Sequence, residues 1–438
     1  MRKYMRTNNR LSRRQRQERY RMPHPPRNPL TEPQGPQLRR RELLTGLVGI
    51  GTAGLAGPLV AAAHPLKVGV IGGGIVGASI AMHLAEAGSR VTVFEKARPA
   101  AGATRNSFAW VNAFTDNAHY RALRIQSLLA YSDLDRSLSL KMVWGGYLNW
   151  ASTESESVVV RASARQLAQT PYPVRPLTPQ ELTALDPNLV PGPVSDAIFS
   201  AIDAHLDPVA VTHRFLERAA QAGARVVYPC EVTSLDIHGS RCKGVTTTRG
   251  IYALDRLVVA AGVDTPQVLA LANVRLALKH APGILAHSKP LPMLTRPVHD
   301  APGNLSFKQM ADGSVVGTDA LDPPDIPAHR EIRDHPVDFP SNDLRAYHGN
   351  RILGKIGSFL PPVLGVALDR LTLGFRPMPL DEFPVMGALP TVPNIHVAVT
   401  HSGVTLAPII GRYTAEEILR GSRVEMFAPY RPERFTAG

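Results

Sequence analysis

The stretch Lys67-Val-Gly-Val-Ile-Gly-Gly-Gly-Ile-Val-Gly-Ala-Ser-Ile-Ala-Met-His-Leu-Ala-Glu-Ala-Gly-Ser-Arg-Val-Thr-Val-Phe-Glu95 decides the fold. It reads as a buried strand, a glycine turn, a helix, a second strand and an acidic residue. Val76, Ile80 and Leu84 recur at helical spacing, and Gly88 suits the position just past a helix end. Gly72 lets the chain turn sharply off the first strand. Gly74 has no side chain to hold a pyrophosphate away from the backbone, and Gly77 lets the helix pack close to the strand. The N–H groups at the helix start, around Ile75 and Val76, face such a phosphate, and the helix dipole favours negative charge there. Glu95, followed by Lys96, ends the second strand, where a carboxylate can accept both hydroxyls of an adenosine ribose. The pattern predicts dinucleotide binding. The alternative is a glycine-rich strand–turn–helix unit without a ligand.

Working outward, the chain has 438 residues, 44% of them hydrophobic, enough for a large core and two or more domains. Its net charge of +13 is unevenly spread. Residues 1–63 hold 13 Lys and Arg against 3 Glu, which leaves +3 for 64–438. No basic groove is implied, and nucleic acid is excluded as a partner. Met22 within the Arg-rich head is an alternative start. Arg39-Arg40-Arg41 precedes an uncharged, Gly-rich run from Leu43 that ends Val60-Ala61-Ala62-Ala63. That arrangement reads as a twin-arginine-type export signal with a small-residue cleavage site. It implies a periplasmic or cell-envelope location, with membrane association through the signal segment only. An uncleaved anchor is the other reading. Phe383 to Gly411 also lacks charged residues, but its prolines and histidines argue against a span. Cys230 and Cys242 are the only cysteines, read as an unpaired structural pair on neighbouring strands, and no metal site is expected.

Three segments read as parts of one cofactor-binding sheet: 67–96; the β-branched runs between 224 and 262, preceded by a helix over Val209–Ala222; and the strand Ile395–Thr400, followed by a helix to about Leu419 with a stop at Gly421. The stretches between them read as an α+β substrate domain, and 323–345 reads as an exposed loop. The fold class is therefore an α/β cofactor-binding, Rossmann-like domain plus an α+β substrate domain, interleaved in sequence. The boundaries are 1–63 for the leader, 64–115, 206–272 and 372–438 for the cofactor domain, and 116–205 and 273–371 for the substrate domain.

Four motifs carry a family resemblance: the glycine fingerprint; Gly102-Ala-Thr-Arg-Asn-Ser107; Val258-Val-Ala-Ala-Gly262; and Arg376-Pro-Met-Pro-Leu-Asp-Glu-Phe-Pro-Val-Met-Gly387 together with His401-Ser-Gly-Val-Thr-Leu-Ala-Pro408. With them, residues 66–425 resemble the FAD-dependent D-amino-acid oxidase superfamily, which includes glycine oxidase, sarcosine oxidase and D-amino-acid dehydrogenase. The resemblance implies a non-covalent FAD, since no cysteine lies near 376–408 where sarcosine oxidases tether theirs. It implies that Thr104, Arg105, Asn106 and Ser107 serve the pyrophosphate and flavin edge, that the Val232 backbone holds adenine, and that Gly262 lets the cofactor approach. Gly403, Val404 and Thr405 offer helix-start N–H groups to the flavin, with Trp110 and Asn112 beside its ring. Arg376 clamps a substrate carboxylate, as the fork of an arginine suits, and His401 touches flavin or substrate. Tyr120, Tyr147 and Tyr347 fall in the substrate segments. Glu382 departs from the glycine that relatives often carry, which is expected to reshape the turn.

The reading is an exported FAD-dependent oxidoreductase that oxidises the C–N bond of an amino acid or related amine to an imine by hydride transfer to flavin N5, with oxygen or a quinone as acceptor. Hydride transfer needs orientation above all, so no catalytic acid–base residue is named. The alternatives are a 2-hydroxy-acid dehydrogenase on the same fold, an NAD enzyme using only the first unit, and a non-catalytic flavin-binding protein.

Overall fold

A computed structural model describes residues 65–170, 172–319 and 341–435. The described residues lie in one compact unit built on two main sheets. The first has six strands in the order Val385–Ala388, Ile395–Val399, Arg256–Val259, Lys67–Ile71, Arg90–Phe94, Arg225–Val227. All neighbours run parallel except the edge strand Val385–Ala388, which is antiparallel. Its central strands are apolar on both faces, as a covered parallel sheet requires. Alternate residues go to opposite sides. Val68, Val70, Val91 and Val93 meet the helices Ile75–Glu86, Pro208–Gln221 and Gly403–Arg420, whereas Ile71, Phe94, Leu257 and Val259 enter a second cluster with Val245, Cys230 and Cys242.

That second cluster corrects one expectation. The runs between 232 and 253 do not extend the cofactor sheet. Val232–His238, Arg241–Thr247 and Gly250–Ala253 form a separate three-stranded antiparallel sheet over its other face. The physical cause is turn chemistry: Gly239 at φ 59° and Gly250 at φ 121° fold the chain back on itself twice. Of the runs between 224 and 262, Arg225–Val227 and Arg256–Val259 join the parallel sheet. Cys230 and Cys242 are buried and free.

The second main sheet has eight strands: Leu368–Phe375, Pro282–Ser288, Val315–Thr318, Leu305–Gln309, Val298–Ala301, Tyr147–Ala151, Asp196–Ser200, Val174–Pro176. Helix Asn342–Phe359 packs on it through Ile352, Leu353 and Ile356. Ser341 caps that helix by accepting from Leu344 N at 3.1 Å, so the end of the expected 323–345 loop is the start of a helix. Residues 320–340 and the leader 1–63, with its export signal, lie outside the described residues.

Candidate functional site

The fingerprint builds a cradle. Gly72 sits at φ 109°, and a Cβ there would stand 2.3 Å from the Ala260 carbonyl oxygen. A Cβ on Gly77 would stand 2.1 Å from the Gly72 carbonyl oxygen, so helix and turn touch backbone to backbone. Above them, Ile75 N–H donates to Thr104 Oγ1 at 3.1 Å. The family resemblance assigns Thr104 to the pyrophosphate and flavin edge. Here its oxygen caps the helix, since Gly74 brings no side chain for the purpose. The hydroxyl keeps its own proton to donate. Glu95 Oε2 accepts from Gly73 N at 2.7 Å and Oε1 from Ala97 N at 2.8 Å, which fixes the carboxylate across the glycine turn. Lys96 pairs with Asp264 at 2.8 Å, tying the end of the second strand to the turn Gly262–Asp264. Gly262 has φ 61°, with no atom within 4 Å of where its Cβ would be. Arg105 is exposed, and Val232 is buried at the start of its strand, paired with Thr247.

A second helix start closes the other end. Gly403 opens the helix Gly403–Arg420 without a side-chain cap, and its Cβ would stand 3.2 Å from Val76 of the fingerprint helix. Further along, a Cβ on Gly411 would stand 2.2 Å from Ser79 Oγ, so the two helices cross in close contact. Pro408 lies inside this helix and has no N–H for the Val404 carbonyl. Tyr131 O–H donates to that carbonyl at 2.6 Å, and Ser127 O–H to the Thr405 carbonyl at 2.6 Å. Thr405 Oγ1 donates to the Trp110 carbonyl at 3.0 Å. The loop from Thr104 to Trp110 thus runs from one helix start to the other. Along it, Ser107 O–H donates back to the Thr104 carbonyl at 2.9 Å.

Behind this loop lies a buried polar network that the sequence did not disclose. Trp110 stacks on Tyr147 with centroids 4.6 Å apart, and its indole N–H donates to Asp203 at 2.7 Å. Ser200 O–H at 2.7 Å and Tyr172 O–H also donate to Asp203. Burial pushes the Asp203 carboxyl up to about 6 against these donors. Tyr147 O–H donates to Asp300 at 2.7 Å. Asn112 is buried, its carboxamide oxygen accepting from Phe114 N at 3.0 Å. The partners lie up to about 150 residues apart in the chain, so spacing carried no sign of them.

Arg376 follows the edge strand Leu368–Phe375 of the eight-stranded sheet. Its Nε donates to the Ala281 carbonyl and its Nη2 to the Pro282 carbonyl, both at 3.3 Å. Two residues earlier, a Cβ on Gly374 would stand 2.6 Å from Asn106 Cβ and 2.9 Å from its carbonyl oxygen. The strand that ends at Arg376 therefore rests directly on the cofactor loop. His401 is exposed in the turn before the last helix, with Nδ1 3.4 Å from Ser402 Oγ. Tyr120 packs edge-on to Phe383, and Tyr347 is exposed on its own helix, so the three tyrosines do not share a site. Glu382 takes φ 68°, in the left-handed region that favours glycine, with Lys279 2.7 Å from its carboxylate.

Two helix starts facing one extended loop, at the carboxyl ends of a parallel sheet, define a dinucleotide-binding protein. The glycine cradle, the Glu95 carboxylate and the long loop fit an extended two-part cofactor. Residues 67–417 match the DAO family, described as FAD dependent oxidoreductase, and the chain belongs to that family. Its cofactor is FAD. The chain is 26% identical over 383 residues to the uncharacterized oxidoreductase YurR of Bacillus subtilis, covering 83% of this chain and 97% of YurR. It is 27% identical over 380 residues to glycine oxidase of Bacillus licheniformis, covering 83% and 96%. Among solved structures, L-proline dehydrogenase from P. horikoshii matches with a TM-score of 0.75 at 21% identity, covering 85% of this chain and 98% of that one.

Proposed function

We propose that the protein oxidises the C–N bond beside a carboxylate in an amino acid or related amine, giving an imine that water hydrolyses to a keto acid and an amine. The observation that carries this reading is Arg376. It ends the strand that touches the cofactor loop through Gly374 and Asn106, and backbone carbonyls fix its guanidinium in place. A guanidinium so placed orients a carboxylate by a planar, bidentate pair. The likeness to glycine oxidase supports an amino-acid substrate.

FAD, when bound, supplies a two-electron acceptor. Glu95 would hold its ribose. The N–H groups at the start of Ile75–Glu86, with Thr104, would hold its diphosphate, and Ser107 to Trp110 with the start of Gly403–Arg420 would hold its ring. Arg376 then fixes the substrate's carboxylate end, and Asp203 and Tyr147 hold Trp110 at the end of the cofactor loop. His401, in the turn before the last helix, would contact flavin or substrate.

The test is anaerobic bleaching of the yellow protein by a panel of amino acids, N-methyl amino acids and 2-hydroxy acids. Bleaching by an amine-bearing acid is expected. Bleaching by hydroxy acids alone would overturn the C–N reading. Arg376→Lys is expected to keep its flavin and lose about 2–4 kcal/mol of transition-state binding, about 30- to 1000-fold in kcat/KM for a carboxylate-bearing amine. Unchanged kcat/KM would remove the clamp. Acid precipitation should release all flavin to the supernatant, as a non-covalent cofactor requires.

A further inference from the structure

Lys308 is a lysine with 1% of its surface exposed, on the strand Leu305–Gln309 of the eight-stranded sheet. Removing an ammonium from water is costly, and an apolar side chain of like volume often fits such a place as well or better. What Lys308 reaches is the cofactor loop. Its Nζ donates to the Ala109 carbonyl at 3.3 Å and lies 5.1 Å from the centre of the Phe108 ring. Ala109 is at φ 55°, in the left-handed region where a residue with a Cβ must be held by its surroundings. The same carbonyl accepts from Leu206 N at 3.4 Å. Phe108 and Ala109 sit between Ser107 and Trp110, in the middle of the span joining the two helix starts.

We propose that Lys308 is a positioning residue that reaches from the substrate-side sheet to hold Phe108 and Ala109 in the shape on which the flavin ring rests. The inference depends on FAD lying along this loop. Among the described residues, no carboxylate contacts the ammonium. Asp207 is the acidic group whose field favours its charge, while His205 and His287 lie within reach of its field. Burial brings Lys308 down to about 7, so its charge changes within the working range of pH. The protonated side chain makes the stronger bond to Ala109. Flavin should therefore be held more tightly below about pH 7 than above it.

The experiment measures flavin release, visible spectrum and thermal stability of the holoprotein and of Lys308→Met between pH 6 and 8. The methionine variant is expected to fold with equal or higher stability, to release FAD about 10- to 100-fold more readily, to show a shifted flavin spectrum, and to lose the pH dependence of release. A structural lysine would give the opposite pattern, lowering stability and leaving the bound flavin's spectrum alone. Lys308→Gln, which keeps a neutral donor, should fall between wild type and methionine, and it serves as the test if the methionine chain fails to fold. Wild-type release, spectrum and pH profile in whichever variant folds would overturn the proposal. If the wild-type protein takes up no FAD, the cofactor reading falls, and this one with it.

Discussion

At the scale of single residues, the site depends on groups kept in unfavourable surroundings. Asp203 accepts from Trp110, Ser200 and Tyr172 in a fully buried place, and its folded pKa of about 6 lies above the unfolded value. The native state binds this proton first as pH falls. The cost of burying the charge is therefore complete above about pH 6 and gone below about pH 4, and it amounts to about 3 kcal/mol. Asp203→Asn is expected to flatten the stability profile between pH 4 and 6, measured by urea unfolding across that range. An identical slope in the variant would show that the carboxyl does not titrate there. Glycines obey a simpler logic. Gly72 and Gly77 were readable in advance because each answers a local demand of the turn. Gly387, the last residue of the Arg376 motif, answers a distant one: its Cβ would stand 2.3 Å from Arg431 Nη1, and Arg431 pairs with buried Glu417. Only the folded chain brings these together.

At the scale of elements, the last helix is the informative case. Its extent, Gly403–Arg420 with Gly421 left-handed behind it, follows from the apolar spacing and the closing glycine. Its internal Pro408 conflicts with helix propensity, and the resolution lies on another helix, where Tyr131 supplies the bond that proline cannot. Tyr131→Phe should cost about 1–3 kcal/mol, the penalty for a buried carbonyl left without a donor. In a Pro408→Ala background, the restored backbone N–H should reduce that cost by about 1 kcal/mol. Thermal unfolding of the four chains measures the coupling, and strict additivity would refute the account. The three-stranded sheet at 232–253 shows the converse limit. Its strands were visible as β-branched runs, but membership of a sheet is a long-range choice that alternating residues alone do not make. Thr104 was likewise read as a polar group of the right kind. Its use as a surrogate cap required knowing that Gly74 stands opposite.

At the scale of the whole molecule, the leader and the body pose separate questions. We propose that residues 39–63 direct export, on the strength of their arginines and Gly-rich apolar run. Changing Arg40 and Arg41 to Lys should leave an uncleaved, flavin-loaded protein in the cytoplasm. A double variant found in the envelope with its N-terminus near His64 would dispose of the twin-arginine assignment. In the body, the parallel sheet is assembled from segments far apart in the chain: Lys67–Ile71 stands between Arg90–Phe94 and Arg256–Val259, and Ile395–Val399 lies next to the latter. The helix that clamps the fingerprint is the last long one. A ribosome therefore delivers the fingerprint early and its clamp about 300 residues later, with the exit tunnel still holding that clamp while most of the body is outside. The cradle must wait, half-built, until that later helix emerges. A stop codon or protease cut just ahead of Gly403 would leave a chain with its fingerprint helix and parallel strands and no closed place for the flavin.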